Sequence, residues 1–158
     1  VTTFQRGFPV KISQGSGNSL TALGVTNGTL RPDVVSGCHK EVSGSAVSRL
    51  GQWFNTNCFA LAPDWGFGNE SRVDASLRQQ GINNFDFAVF KKTTIGERAN
   101  IELRTEFFNI FNHPQFGPPN GTCCAFNPIT QTGNKNFGIV TNTINNPRLI
   151  QFALKFAF

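Results

Sequence analysis

The final eleven residues, Arg148-Leu149-Ile150-Gln151-Phe152-Ala153-Leu154-Lys155-Phe156-Ala157-Phe158, set the tightest limit on what this chain can become. Successive side chains of a strand point to opposite faces. Ile150, Phe152, Leu154, Phe156 and Phe158 therefore share one face, and Gln151, Ala153, Lys155 and Ala157 share the other. A strand that is oily on one side and small or polar on the other suits a boundary between hydrocarbon and water. In water, the same five side chains would need a second sheet or a helix over them. The alternation by itself fits a membrane wall or a half-buried strand of a soluble sandwich. Its place at the end of the chain, with Phe as the last residue, favours the wall.

Composition points the same way. Phe occurs 17 times and Tyr never, and charged residues make up only 15% of the 158. Gly, Asn and Thr abound where long helices would want Ala, Leu, Glu and Lys, so the expectation is an all-β chain with polar loops. No segment approaches the roughly 20 apolar residues of a membrane-spanning helix, which leaves a barrel untouched. A chain that starts at Val1 and holds no Met is expected to be processed or a piece of a longer one. The net charge of +5 is scattered, with Lys91-Lys92 the only adjacent basic pair, so no nucleic-acid partner is expected. Four cysteines, Cys38, Cys58, Cys123 and Cys124, fall in loop-like stretches. Their spacing lacks the paired pattern of zinc sites, so disulfides formed outside the cytoplasm are expected instead. Cys38 with Cys58 is the first candidate pair. Cys123 and Cys124 could join each other only through a strained vicinal ring, and the connectivity stays open at this point.

Strand patterns fall at residues 3–12, 84–92, 98–111 and 148–158, with a further short one at 137–140. Pro9 interrupts the first strand or places it near a rim, since it cannot donate to a ladder. In the second, Phe85, Phe87 and Val89 alternate with Asp86 and Ala88, and Phe90 is the exception. In the third, Ile101, Leu103 and Phe107 oppose Glu102, Arg104 and Glu106. A five-residue turn, 93–97, joins the second and third strands, whereas long loops cover about 13–82 and 115–146. Short turns on one side and long loops on the other are the asymmetry of an outer-membrane barrel. With the carboxyl terminus in the periplasm, the strand directions are self-consistent and the long loops lie outside the cell.

Several blocks stand in a fixed order. They are Arg6-Gly7-Phe8-Pro9-Val10, Arg31-Pro32-Asp33, Trp53-Phe54-Asn55-Thr56 with Phe59, and Phe67-Gly68-Asn69. Asn84 to Lys91 follows, then Glu106-Phe107-Phe108-Asn109-Ile110-Phe111-Asn112-His113-Pro114-Gln115-Phe116-Gly117. Phe137-Gly138 and Asn146-Pro147-Arg148-Leu149-Ile150-Gln151-Phe152 close the series. This order resembles the carboxyl-terminal end of TonB-dependent outer-membrane receptors, above all the acidobacterial type with a carboxypeptidase-regulatory-like domain. The resemblance spans nearly all of residues 1–158 and implies a place in the wall of a 22-strand barrel of the bacterial outer membrane. It implies uptake of a scarce or bulky solute, and outer-membrane lipid, the rest of the barrel and plug, and TonB (through an amino-terminal part) as partners. Phe152, Leu154, Phe156 and Phe158 resemble the assembly signal read by the barrel-assembly machinery. The four loop cysteines and the length depart from the family. Four to six strands do not close a barrel, for which about eight is the usual minimum, so the expected fold is an open, antiparallel up-and-down piece of barrel wall.

Asp86, Glu102, Arg104, Glu106 and Lys155 are expected to face the lumen, chiefly as a cross-strand charge ladder. Lys92 reads the same way. Trp53, Phe54, Phe59, Trp65 and Phe67 are candidate solute-binding loop aromatics, or else the loop's own small core, which is the favoured reading. Neither His39 with Cys38 or Ser43, nor His113, completes a catalytic signature, so no enzyme activity, cofactor or metal is expected. Gly15-Ser16-Gly17 lacks the rest of a phosphate loop. The acceptor patterns at Asn27, Asn69 and Asn120 are common by chance in Asn-rich loops. The rival reading is a secreted, extracellular polymer that associates with itself through open strand edges.

Overall fold

A run of antiparallel pairings built on alternating sequence organises the chain. The computed structural model describes residues 1–15, 18–25, 30–124 and 134–158. The Asn27-Gly28-Thr29 pattern and residues 16–17 of Gly15-Ser16-Gly17 lie outside them. In chain order the strands are β1 (Thr2–Gln5), β2 (Pro9–Val10), β3 (Ser13–Gln14), β4 (Asp33–Val34), β5 (Phe59–Ala60) and β6 (Asp74–Arg78). Then come β7 (Ile82–Phe85), β8 (Phe87–Ile95), β9 (Ala99–Phe108), β10 (Thr122–Cys123) and β11 (Leu149–Ala157). The only helical elements among the described residues are short 3₁₀ turns at Ser19–Leu23, Val47–Arg49 and Thr56–Cys58. Two compact units result.

The first unit comprises Val1–Arg6, Gly81–Gln115 and Thr143–Phe158. Its centre is an antiparallel sheet in the order β8, β9, β11, and β1 pairs antiparallel with β7, which only Asp86 separates from β8. The meander is the expected up-and-down wall, and it is open. Among the described residues neither β8 nor β11 has a partner on its far side. Residues 96–98 form the β8–β9 turn, tighter than the predicted 93–97, because Gly96 (φ 63°) takes the left-handed conformation that costs glycine nothing. β9 stops at Phe108 rather than at residue 111, since Asn109 (φ 51°) turns the backbone out of the ladder. The connections after β1 and after β9 both leave from the end of the sheet opposite the Gly96 turn, as the pairings of Gln5 with Ile82 and of Leu149 with Phe108 require.

Those connections supply the second unit, Gly7–Gln80 with Phe116–Asn142. The predicted first strand, 3–12, is therefore split. β1 belongs to the sheet, whereas β2 pairs with β6 in the second unit, with a register shift between Pro9 and Val10 where Pro9 has no N–H to give. The predicted strand at 137–140 is also corrected. Residues 135–138 form a turn, with Gly138 at φ 77°.

The second unit has a core of Val10, Ile12, Trp53, Phe54, Phe59, Leu77 and Val140. Phe54, Phe59 and Phe137 meet edge to face in a three-ring cluster, with centroids 5.1 to 5.8 Å apart. The Trp53 indole N–H donates to the Arg78 carbonyl at 2.8 Å, and the Arg49 guanidinium lies 4.3 Å from a Trp53 ring centroid. Conserving backbone hydrogen bonds takes little regular structure here. β4–β5 and β2–β6 are short antiparallel pairs, and β3–β10 is a parallel one. Phe54 is completely buried. Phe54→Ala should therefore cost the second unit about 3–5 kcal/mol. Urea titration followed by Trp53 fluorescence should show it, and Leu23→Ala, at an exposed site, should leave the midpoint nearly unchanged.

Candidate functional site

Register in the sheet sorts the side chains between two faces, with Phe90, Phe108 and Leu149 the large apolar residues on the polar one. β9 pairs Leu103 with Leu154 and with Lys91, and Thr105 with Phe152 and with Val89. One face therefore carries Phe87, Val89, Ile101, Leu103, Phe107, Ile150, Phe152, Leu154 and Phe156, broken by Lys91. Phe152 and Leu154 are more than 70% exposed. On the other face Lys92, Glu102 and Lys155 stand in one cross-strand row, which places a carboxylate between two ammonium groups. Glu106 and Arg104 of the same face form an ion pair at 2.6 Å. The three strands are 9, 10 and 9 residues long, against the roughly 9–11 that a tilted strand needs to cross a bilayer.

Where the sheet ends, amides take over from the ladder. Asn109 is buried, and its left-handed backbone aims its side chain back across the turn. Asn109 Oδ1 accepts from the His113 N–H at 2.8 Å, and Nδ2 donates to the carbonyls of His113 and Asn146, both at 3.2 Å. The Asn109 N–H donates to Asp86 Oδ1 at 2.9 Å, so Asp86 is engaged at the β7–β8 junction and not in the charge row. Gln115 bridges likewise, donating from Nε2 to the Asn83 carbonyl at 2.7 Å and accepting from the Asn83 N–H at 3.2 Å. Asn145 Oδ1 accepts from the Gln115 N–H, and Asn112 Oδ1 from the Arg148 N–H. The Asn-Ile-Phe-Asn-His-Pro-Gln block is thus a clasp that fastens β9 to β7 and to the start of β11.

Beside the clasp lies a pocket of about 590 Å³. Thr3, Asn84, Phe108 and Gln151 of the strands line it from the polar face, Asp86 joins them from the β7–β8 junction, and residues 144–147 close it.

Residues 1–151 match the family model described as an outer membrane beta barrel domain. The chain belongs to that family. No curated protein and no solved structure matches it. As an outer-membrane barrel domain the sheet works in a lipid environment, and a two-faced wall of spanning length is what that environment demands.

The remaining predicted residues lie in the second unit. Trp53, Phe54 and Phe59 are interior, so of the five loop aromatics only Trp65 and Phe67 present their rings to solvent. Cys38 is bonded to Cys58, with Cα atoms 5.4 Å apart, and Cys123 to Cys124. Asn69 and Asn120 use their side-chain oxygens locally, accepting from the N–H of Val34 (2.7 Å) and Thr122 (2.9 Å). Among the described residues no three His, Cys, Asp or Glu side chains converge to hold a metal ion.

One cluster carried no sequence signal. Lys40 reaches Asp74 and lies 3.6 Å from Glu70, and both carboxylates are almost wholly buried. Burial opposes the charge on Lys40, but the hydrogen bonds and charges of Asp74 and Glu70 outweigh it and hold its pKa above the ordinary value. Burial also opposes the charge on Asp74, and Lys40 with Ser76 overcomes it, so the Asp74 pKa lies below the ordinary value. The Asp74 contribution is thus present above 3.8 and lost as pH falls through the lower folded value. The Lys40 contribution is present below 10.5 and lost as pH rises through the higher folded value. Stability of the second unit should therefore be flat between these limits and fall at both ends. Lys40→Met strands two buried carboxylates, so the same urea titration should show stability rising on mild acidification instead.

The clasp yields a second expectation. Asn109→Gly keeps the backbone conformation yet loses the side-chain bonds, leaving the His113 N–H unpaired, at a cost of about 1–3 kcal/mol. Asn109→Ala adds backbone strain. Heat-modifiability on gels should rank wild type above the Gly variant and the Gly variant above the Ala variant.

Proposed function

We propose that this chain is wall and surface-loop segment of a TonB-dependent outer-membrane receptor, a transporter that takes up a scarce or bulky solute. The observation that carries the reading is the two-faced sheet, with strands of spanning length and both long connections leaving from one end. In this reading the apolar face meets lipid and the polar face meets the water-filled interior. The Lys92–Glu102–Lys155 row and the Arg104–Glu106 pair set opposite charges against each other inside the wall. The second unit is extracellular, and the carboxyl terminus is periplasmic, where the barrel-assembly machinery reads Phe152, Leu154, Phe156 and Phe158. Plug and TonB contact come from an amino-terminal part, and the proton-motive force acts through them. The segment itself performs no chemistry.

Open edges on β8 and β11 support one alternative, self-association of a secreted chain through strand pairing. Intact mass of the native polypeptide from a membrane fraction separates the two. A mass several-fold above 17.3 kDa fits the receptor, and one near 17.3 kDa fits the polymer.

Substitutions test the faces. Phe152→Arg should destabilise the barrel by about 2–4 kcal/mol if its side chain meets the bilayer midplane, and Lys155→Gln should be nearly silent. The reverse ranking in a folding titration into lipid vesicles would mean the faces are exchanged. Phe158→Ala should lower the amount of protein assembled in the outer membrane of cells, and normal assembly would remove Phe158 from the signal.

A further inference from the structure

The pocket beside the clasp is not needed to build a wall, and its chemistry is specific. Among the described residues no Lys, Arg or His lines it, so an anionic guest would find no counter-charge. One carboxylate lines it, Asp86, whose Oδ1 is already taken by the Asn109 N–H and by Asn84 Nδ2. Among the described residues its Oδ2 has no hydrogen-bond partner, nor do the Thr3 hydroxyl and the side-chain amides of Asn146 and Gln151. These groups offer acceptors and donors in mixture, as vicinal hydroxyls require. Between them Phe108, Ile144 and Leu149 supply an apolar wall.

We propose that this pocket is a binding subsite for a neutral saccharide. A pyranose has the matching construction, with a hydroxyl rim around C–H faces that lie against Phe108 and Leu149. About 590 Å³ falls within the ordinary range of small-molecule sites and accommodates two sugar rings. A peptide is the weaker match, because extended peptides bind by pairing with a strand edge, and this pocket opens on a sheet face. The inference rests on the reading that the polar face lines the water-filled side of the wall.

Calorimetry on the native full-length protein in detergent micelles tests it, with maltose, cellobiose and N,N′-diacetylchitobiose as probes, and citrate and tetra-alanine as comparisons. At least one disaccharide should bind, and Asn146→Ala and Gln151→Ala should each weaken it by roughly tenfold. Heat-modifiability of both variants should stay at the wild-type level, since neither side chain belongs to the clasp. Three results would overturn the proposal: no binding by any of the disaccharides, unchanged affinity in both variants, or preferential binding of citrate or tetra-alanine. A parallel labelling experiment separates its failure from failure of the underlying reading. A membrane-impermeant maleimide should modify Gln151→Cys in cells and spare Phe152→Cys. That pattern without saccharide binding would sink the subsite alone, and the opposite pattern would sink the assignment of faces as well.

Discussion

A slip of β9 by one residue against either neighbour would carry Glu102, Arg104 and Glu106 onto the face that holds Phe152, Leu154 and Phe156, because the side-chain period of a strand is two. Register is thus the constraint on which the wall depends, and it is held at both ends of β9. At one end Gly96 makes a turn too tight to slide. At the other, Asn109 leaves the ladder in a left-handed conformation and spends its amide on His113 and Asn146. Side chains between these points need only be apolar or polar on the correct side.

The same economy shows in the second unit. Two long connections combine their large apolar side chains in one core. Residues 7–80 supply Trp53, Phe54 and Phe59, and the later connection supplies Phe137 and Val140. The Cys38–Cys58 bond closes a stretch within the first connection and limits the freedom of its unfolded form. Buried charge on Glu70 and Asp74 is tolerated because Lys40 stands against both.

Periodicity made the sheet legible. The patterns at 84–92, 98–111 and 148–158 were readable within a few residues, although Asp86 splits the first into β7 and β8, and their ends moved for local reasons, Gly96 and Asn109, that alternation does not register. The second unit was far less readable. Its elements are two-residue strands and 3₁₀ turns, too short for any period, and Lys40 meets Asp74 across 34 positions with nothing in between to announce it. What did show in the sequence was a set of short blocks in fixed order, and the structure brings them together in pairs. Gly68 passes so close to the backbone of Arg31 and Pro32 that a Cβ would collide with it, while the Asn69 N–H donates to Asp33 Oδ1. Trp53 donates its backbone N–H to the Gly138 carbonyl, and Asn109 reaches Asn146. The blocks are separated in sequence because each is one half of a contact.

Lys91 is the single charge on the oily face of the sheet, level with Leu103 and Leu154. With that face toward lipid, Lys91 would stand at the middle of the nine-residue β8, the depth at which a cation costs most, and its alkyl stem would have to bend along the hydrocarbon to carry the ammonium group toward one surface. On that reading Lys91 is the weak rung of the wall, where the membrane would have to thin or admit water to meet it.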